Sequence, residues 1–267
     1  MSSLAATPVI VGVIFFAIGL RAGAPAFPRA GRQKLLDSAP RPAYFREPFA
    51  GRVDLNRLAS ADFRFSATRG AYESRGLAKR IVDVAAATAL LLITSPLVAL
   101  AAIAIRIDSP GPVLYRQRRI GRGGEPFDIF KFRSMIADAE PDGARWAGEN
   151  DARVTRVGHL MREMHIDEIP QALNVLRGEM SFVGPRPERP EFVEILETEI
   201  PNYHLRHMVK PGITGWAQIN YVYGSSVEDA RIKLQYDLHY IKKFSLYRDF
   251  IIMLKTVRVA LFGLDGR

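Results

Sequence analysis

The sequence contains no cysteine, so it has no disulfide to staple it and no thiolate to offer a metal. That absence fits a domain held on the cytoplasmic side of a membrane. Helix-turn-helix, zinc-finger and RNA-binding signatures are also missing, so nothing directs the chain's basic charge toward nucleic acid and no such partner is expected. His204 and His207 are spaced to share a helix face, but no third ligand stands at a sensible distance to complete a histidine metal site. There is no internal repeat. Before the first apolar run there is no positive charge, which a cleaved signal peptide would want.

What the chain does have is charge and apolar length, both unevenly placed. The net charge is +9 over 267 residues. Between Arg21 and Arg80 there are 13 Lys/Arg against 5 Asp/Glu, so nearly the whole excess lies in one segment. A basic block beside apolar runs suits anionic inner-leaflet lipids. Leu4–Leu20 carries no charge over 17 residues, a span of ~25 Å as a helix and the short end of a membrane crossing. Arg21, Arg29, Arg32 and Lys34 follow it, so the positive-inside rule puts everything after Leu20 in the cytoplasm. Residues 1–20 read as an N-terminal membrane anchor, with a signal peptide or a buried helix as the alternatives. Residues 21–77, rich in Pro, Gly, Ala and Arg, read as a basic linker.

Ile81–Ile105 has one charge, Asp83, and at ~37 Å it is long enough to cross a ~30 Å hydrocarbon core. Its flanks argue otherwise. Arg64–Arg80 and Arg106–Arg122 each hold five Lys/Arg, whereas a crossing helix should show an imbalance. Ser95-Pro96 lies near the middle. Pro96 removes an amide hydrogen and clashes with the carbonyl of Leu92, and the hydroxyl of Ser95 or Thr94 can satisfy the freed backbone. This predicts a re-entrant helix-break-helix that dips into one leaflet and returns. A kinked transmembrane helix and a buried core helix are the competing readings.

Beyond Pro110-Gly-Pro112, Val113–Arg119 and Phe127–Arg133 alternate as strands around Gly121-Arg-Gly-Gly124, predicting a β-hairpin. The glycines open no helix, so they read as a turn rather than a phosphate loop. Arg153–Arg177 reads as helix in two pieces, the second starting just before Pro170. Val227–Lys243 and Leu246–Phe262 read as amphipathic helices. Phe250, Leu254, Val257 and Leu261 line one face, which is more often core than membrane, though an interfacial role is open. Tyr247 and Trp216 are candidate interface anchors. The fold class is therefore α+β and mostly helical: a monotopic membrane domain with a re-entrant helix, a small hairpin and amphipathic interfacial helices.

Two acids stand side by side at Asp167 and Glu168, at the start of a helix where backbone dipoles favour negative charge. Asp167 as a simple cap is one reading. The other is chemical. Adjacent carboxylates cannot flank one glycosidic bond, so sugar hydrolysis fits poorly. They suit one nucleophile with a neighbour that binds metal or handles a proton. Arg162, and Arg186 stiffened between Pro185 and Pro187, are planar forks matched to phosphate. Phosphoryl chemistry on a carboxylate fits this set best. A non-catalytic membrane adaptor would have no need for it.

From Lys79 to Arg267 the motifs resemble the bacterial sugar transferases, the monotopic phosphoglycosyl (polyprenyl-phosphate hexose-1-phosphate) transferases. The resemblance is carried by KRIVD before the apolar helix broken at Ser95-Pro96, SPGPVLYRQRRIG, FKFRSM, IDEIPQALNVLRGEMSFVGPRP and KPGITGWAQIN. The C-terminal stretch from Gln218 is most similar to members working in exopolysaccharide assembly. The resemblance implies that residues 78–267 transfer sugar-1-phosphate from a UDP-sugar to undecaprenyl phosphate, releasing UMP, at the bacterial inner membrane with the catalytic domain on its cytoplasmic face. It implies Asp167 as the nucleophile of a phosphosugar-aspartate intermediate, and Glu168 as the catalytic partner that prepares the acceptor and, with Asp167, binds Mg²⁺. Lys131, Arg133, Arg162, Arg186 and Gln218 match positions expected around the diphosphate and nucleotide. Other membrane proteins of glycan assembly are expected partners. Two departures stand out. Residues 51–66 look like the tail of a larger member's upstream region, so the chain reads as a shortened relative or one begun at a different codon. Met164-His165-Ile166 replaces the Thr-Ser-Leu of many members.

Overall fold

Lys79, Asp83, Ala87, Ala101 and Ile105 recur at helical spacing, and they form the one buried stripe of a 33-residue helix, α1 (Gly76–Asp108). The structure, a computed structural model, describes residues 52–53, 55, 76–136, 139, 151–221 and 226–262, with the side chains of 261 and 262 left out. The anchor expected at 1–20 and most of the linker fall outside these residues. At the linker's Arg52 and Val53, Nε of Arg52 donates to the Tyr236 hydroxyl at 3.1 Å. The described residues belong to the unit Gly51–Arg267.

Most of the apolar surface of α1 has no protein cover. Leu92, Ile93, Leu100 and Ile103 are exposed, and Ile107 is 81 % exposed. Among the described residues α1 alone is long and apolar enough to cross a membrane. It stays helical through Ser95-Pro96, so the expected break is not an unwound gap. The backbone defect is repaired locally. Ser95 Oγ donates to the Leu92 carbonyl at 2.9 Å, the group that Pro96 leaves without its amide, and Thr94 Oγ1 donates to Leu90 at 2.7 Å.

The hairpin is close to its predicted bounds. β1 (Leu114–Ile120) pairs antiparallel with β2 (Pro126–Phe132), with Tyr115 opposite Lys131. The intervening glycines make a single tight turn, Arg122–Gly124, in which Gly123 and Gly124 have positive φ. That settles the GxGG as turn chemistry.

After the hairpin come α2 (Arg156–Glu163), a 3₁₀ turn (Ile166–Gln171) and α3 (Ala172–Arg177). The second half of the expected two-piece helix thus begins as a 3₁₀ turn, with Pro170 inside it. None of the elements between Arg177 and Val227 had a counterpart in the sequence patterns, among them β3 (Ser181–Val183) and β4 (Gly212–Thr214), a parallel pair. Between them lie α4 (Pro190–Glu199) and a 3₁₀ turn (Tyr203–Met208). The chain ends in α5 (Trp216–Asn220), α6 (Val227–Lys242) and α7 (Leu246–Phe262).

Two apolar clusters fasten α1 to these elements. Toward its C-terminal half, Ala101 and Ile105 pack with Phe132, Met161, Ile166 and Ile169. Nearer its start, Ala87 packs with Ile129, Ala172, Val175 and Met180. A buried polar knot completes the attachment. Lys79 Nζ pairs with Asp249 at 2.7 Å and Asp83 at 3.3 Å, while Asp83 accepts from Ser181 Oγ and the Phe182 amide, each at 3.0 Å. Tyr240 adds its hydroxyl to Asp249 at 2.7 Å. One knot therefore ties α1, β3, α6 and α7.

One reading left open for α7 is decided, and one expectation nearby is corrected. Phe250, Leu254 and Val257 are exposed, so that face is not core; α7 buries Asp249 and Ile252 instead. Leu261, assigned to the same face, falls among the side chains left out. Trp216 is buried and cannot anchor at an interface, whereas Tyr247 is exposed on α7.

Candidate active site

The carboxylate pair is placed by the elements on either side of it. Asn174, wholly buried on α3, accepts from the Phe130 amide at 3.0 Å and donates to the Asp128 carbonyl at 2.7 Å. It thereby clamps α3 to the edge of β2 and fixes the distance from Lys131 to the acids. On the other side, α2 is capped by Thr155, whose hydroxyl accepts from the Gly158 amide at 3.0 Å. Gly158 sits hard against the backbone of Ser134, where a Cβ would overlap the carbonyl, so only glycine lets α2 come this close. The closeness lets Arg162 Nε reach Ser134 Oγ at 2.8 Å. Between α2 and the 3₁₀ turn, His165 takes a left-handed conformation at φ 57°, reversing the chain so that the acids come next.

Asp167 and Glu168 have opposite surroundings. Glu168 Oε1 accepts from Lys131 Nζ at 2.9 Å, and Arg186 engages both oxygens, with Nη1 on Oε2 at 2.9 Å and Nη2 on Oε1. Burial acts to raise the Glu168 pKa, but Arg186 and Lys131 outweigh it and hold the carboxyl well below its usual range. Lys131 is lowered, chiefly by burial, with Glu168 acting against the shift. Asp167 is only 8 % exposed, yet its carboxylate makes no hydrogen bond or ion pair among the described residues. It does not cap the turn, whose start has no side-chain cap. Burial, and then the neighbouring Glu168 charge, push its pKa up, while Lys131, Arg186 and Arg162 pull it down. One acid is clamped and ionised. The other has no hydrogen-bond or ion-pair partner among the described residues and feels the charge of three cations, Lys131, Arg186 and Arg162.

The structure brings Lys131, Arg162 and Arg186 around the pair. Arg133 and Gln218 are engaged elsewhere. Arg133 is buried and donates to the carbonyls of Pro110 and Ser109 at 2.7 and 2.6 Å, holding the turn after α1. Gln218 Nε2 donates to Ile213 at 2.8 Å beside β4. Ser134, Asn174, Arg119 and Arg206 support the site without having been singled out from sequence. For Ser134, Asn174 and Arg119 the signal was present in the FKFRSM, IDEIPQALNVLRGEMSFVGPRP and SPGPVLYRQRRIG motifs; Arg206 lies outside every quoted motif.

Among the described residues no group of three or more His, Asp or Glu gathers as a metal site. A hard divalent cation that binds through diphosphate oxygens needs only one or two carboxylates. Asp167 is unpartnered, and Glu168 Oε2 accepts a single bond, so the pair fits such an ion.

Residues 74–263 match the model of the bacterial sugar transferase family, and the chain belongs to that family. It is 48 % identical over 189 residues to the UDP-N-acetylgalactosamine-undecaprenyl-phosphate N-acetylgalactosaminephosphotransferase of Aeromonas hydrophila, a match covering 71 % of this chain and 45 % of the relative. It is 46 % identical over 183 residues to the UDP-glucose:undecaprenyl-phosphate glucose-1-phosphate transferase of Caulobacter vibrioides, covering 68 % of each. Its identity to the enzyme of that name in Escherichia coli is 44 %, covering 68 % of this chain and 39 % of the relative. The chain thus spans less than half the length of the Aeromonas and Escherichia relatives. Family membership and the uncovered apolar helix α1 together point to membrane association.

Proposed function

We propose that this protein transfers sugar-1-phosphate from a UDP-hexose to undecaprenyl phosphate through a covalent intermediate on Asp167. The observation that carries the proposal is the asymmetry of the acids: Glu168 held by Lys131 and Arg186, Asp167 left without a partner next to them. The relatives' names, which carry both N-acetylgalactosamine and glucose, support the donor class and the lipid acceptor.

In the first step a carboxylate oxygen of Asp167 attacks the β-phosphorus of the donor. The bond from that phosphorus to the bridging oxygen breaks, and UMP leaves with the bridging oxygen. In the second step an oxygen of undecaprenyl phosphate attacks the same phosphorus, the aspartyl bond breaks, and the carboxylate is regenerated with undecaprenyl-diphosphate-sugar as product. Splitting the transfer lets one polyanion depart before the next arrives. Arg162, Arg186 and Lys131 are placed to offset charge on the phosphoryl oxygens. Asp167 and Glu168 would hold Mg²⁺, whose charge would add to theirs. We assign α1 to a re-entrant path in the cytoplasmic leaflet of the inner membrane, which would set the site at headgroup depth. Anionic lipids and other membrane proteins of glycan assembly are the proposed neighbours there.

The test is UMP release from UDP-hexoses by purified protein with undecaprenyl phosphate and Mg²⁺, alongside intact-mass measurement with donor alone. Donor alone should leave a sugar-phosphate adduct that is absent in Asp167→Asn. Full turnover by Asp167→Asn would refute the nucleophile.

A further inference from the structure

Arg186 must cross from an irregular loop to reach Glu168, and prolines on both sides leave that loop short of amide donors. Four successive carbonyls of the loop are nevertheless taken. Pro185 accepts from the Gly212 amide at 2.9 Å, Arg186 from Arg206 Nη2 at 2.9 Å, Pro187 from Arg119 Nη1 at 3.0 Å, and Glu188 from the Ile120 amide at 2.9 Å. Two of the four donors are backbone amides at the sheet ends, and two are arginine side chains. The carbonyl of Arg186 itself is met by an arginine.

Arg206 is built to stay where it is. It is buried in the 3₁₀ turn Tyr203–Met208, donates from Nη1 to the Tyr203 hydroxyl, and pairs through Nη2 with Asp237 Oδ2 of α6 at 2.9 Å. Both partners are almost wholly buried. A buried ion pair contributes little net stability compared with apolar packing of the same volume. What it offers is a fixed guanidinium, and this one faces the backbone of the residue that grips Glu168.

Resting on the phosphotransfer reading above, we infer that Arg206, locked by Asp237 and Tyr203, is a positioning residue that holds Arg186 in register with Glu168 and the transferring phosphoryl group. It touches no substrate. Its effect on the reaction passes through the Arg186 carbonyl.

Arg206→Ala alone would leave Asp237 buried and unpaired, and that variant risks failing to fold. The test therefore uses Arg206→Met with Asp237→Asn, which removes the tether and both charges together, with Tyr203→Phe as a milder probe. Folding is checked by circular dichroism and thermal midpoint. In the wild-type background the paired substitution should lower kcat/KM for UMP release by about 10- to 100-fold, the scale of a small displacement in a positioned group. In an Arg186→Ala background the same substitution should cost less than about twofold, because the route is already cut. Hydrogen exchange at the Gly212 and Ile120 amides, which donate to the Pro185 and Glu188 carbonyls of the loop, should be faster in the folded variant. This last readout does not depend on turnover. If the wild-type protein releases no UMP, the functional reading fails while the exchange still decides whether Arg206 holds the loop. Unchanged exchange, or an equal loss with and without Arg186, would overturn the inference.

Discussion

Arg186 holds both oxygens of Glu168 from a loop 18 residues downstream, and Lys131 holds one of them from the opposite side. The adjacent Asp167 is thereby left as the acid with nothing to hold. A planar fork makes this grip, so a lysine at 186 cannot reproduce it. We expect Arg186→Lys to lower kcat/KM by roughly 100-fold despite its conserved charge. Steady-state UMP release checks this, and a variant within threefold of wild type would show that charge alone suffices.

Lys131→Met should fail differently. It removes one of two cations from a largely buried carboxylate, so stability should fall by about 2–4 kcal/mol as well as activity. Chemical denaturation in detergent measures the first effect. Combining it with Glu168→Gln should recover part of the lost stability, because the stranded charge is then gone.

His165 is exposed and left-handed at φ 57°. Glycine adopts that conformation freely, while a β-branched residue resists it. His165→Gly should leave stability within about 0.5 kcal/mol of wild type and preserve turnover, whereas His165→Val should cost about 1–2 kcal/mol. A dead but well-folded His165→Gly would reveal a chemical role for the imidazole.

His207 packs edge-on against the Tyr203 ring. Burial, and then the Arg206 and His204 charges, lower its pKa to about 4. The unfolded chain would titrate near 6.5. Between these values the unfolded state binds a proton that the folded state does not, so the contribution of His207 is complete above pH 6.5 and is lost as pH falls toward 4. His207→Gln should flatten the stability profile in that window relative to wild type. An unaltered slope would mean that the imidazole is not held neutral.

Single-cysteine reporters need no background removal, because the chain has no cysteine of its own. Substituted at Ala78 and Ser109, they bracket the apolar stretch Ile81–Ile105 of α1 and should label from the same, cytoplasmic, side. Labelling from opposite sides would make α1 a true span. Ser95→Ala should weaken the helix near its middle, because the Leu92 carbonyl then loses its partner in an apolar setting.

Much of this was legible in residue order alone. Alternating apolar residues and a glycine-rich centre located the hairpin within a residue at each end, because strand pleat and turn sterics are local effects. The spacing of α6 and α7 was readable for the same reason. The parallel pair β3 and β4 was not, because three-residue strands carry no period and their partners lie some 30 residues apart. Nor did the pattern tell which way α7 faces. Phe250, Leu254 and Val257 form a regular stripe, and regularity is the same whether a stripe meets protein or lipid.

The sequence by itself determined the chemistry available: an acid pair at a turn, arginines with proline-stiffened backbone, and a long apolar helix with Ser95 beside Pro96. Each is a property of neighbours along the chain. Only the tertiary structure decided which acid is clamped and which is left unpartnered, that Arg133 and Gln218 bond away from the pair, and that Arg206 reaches Arg186. Those outcomes depend on where buried donors find acceptors across many residues of separation, and burial makes an unpaired polar group costly enough to fix such choices.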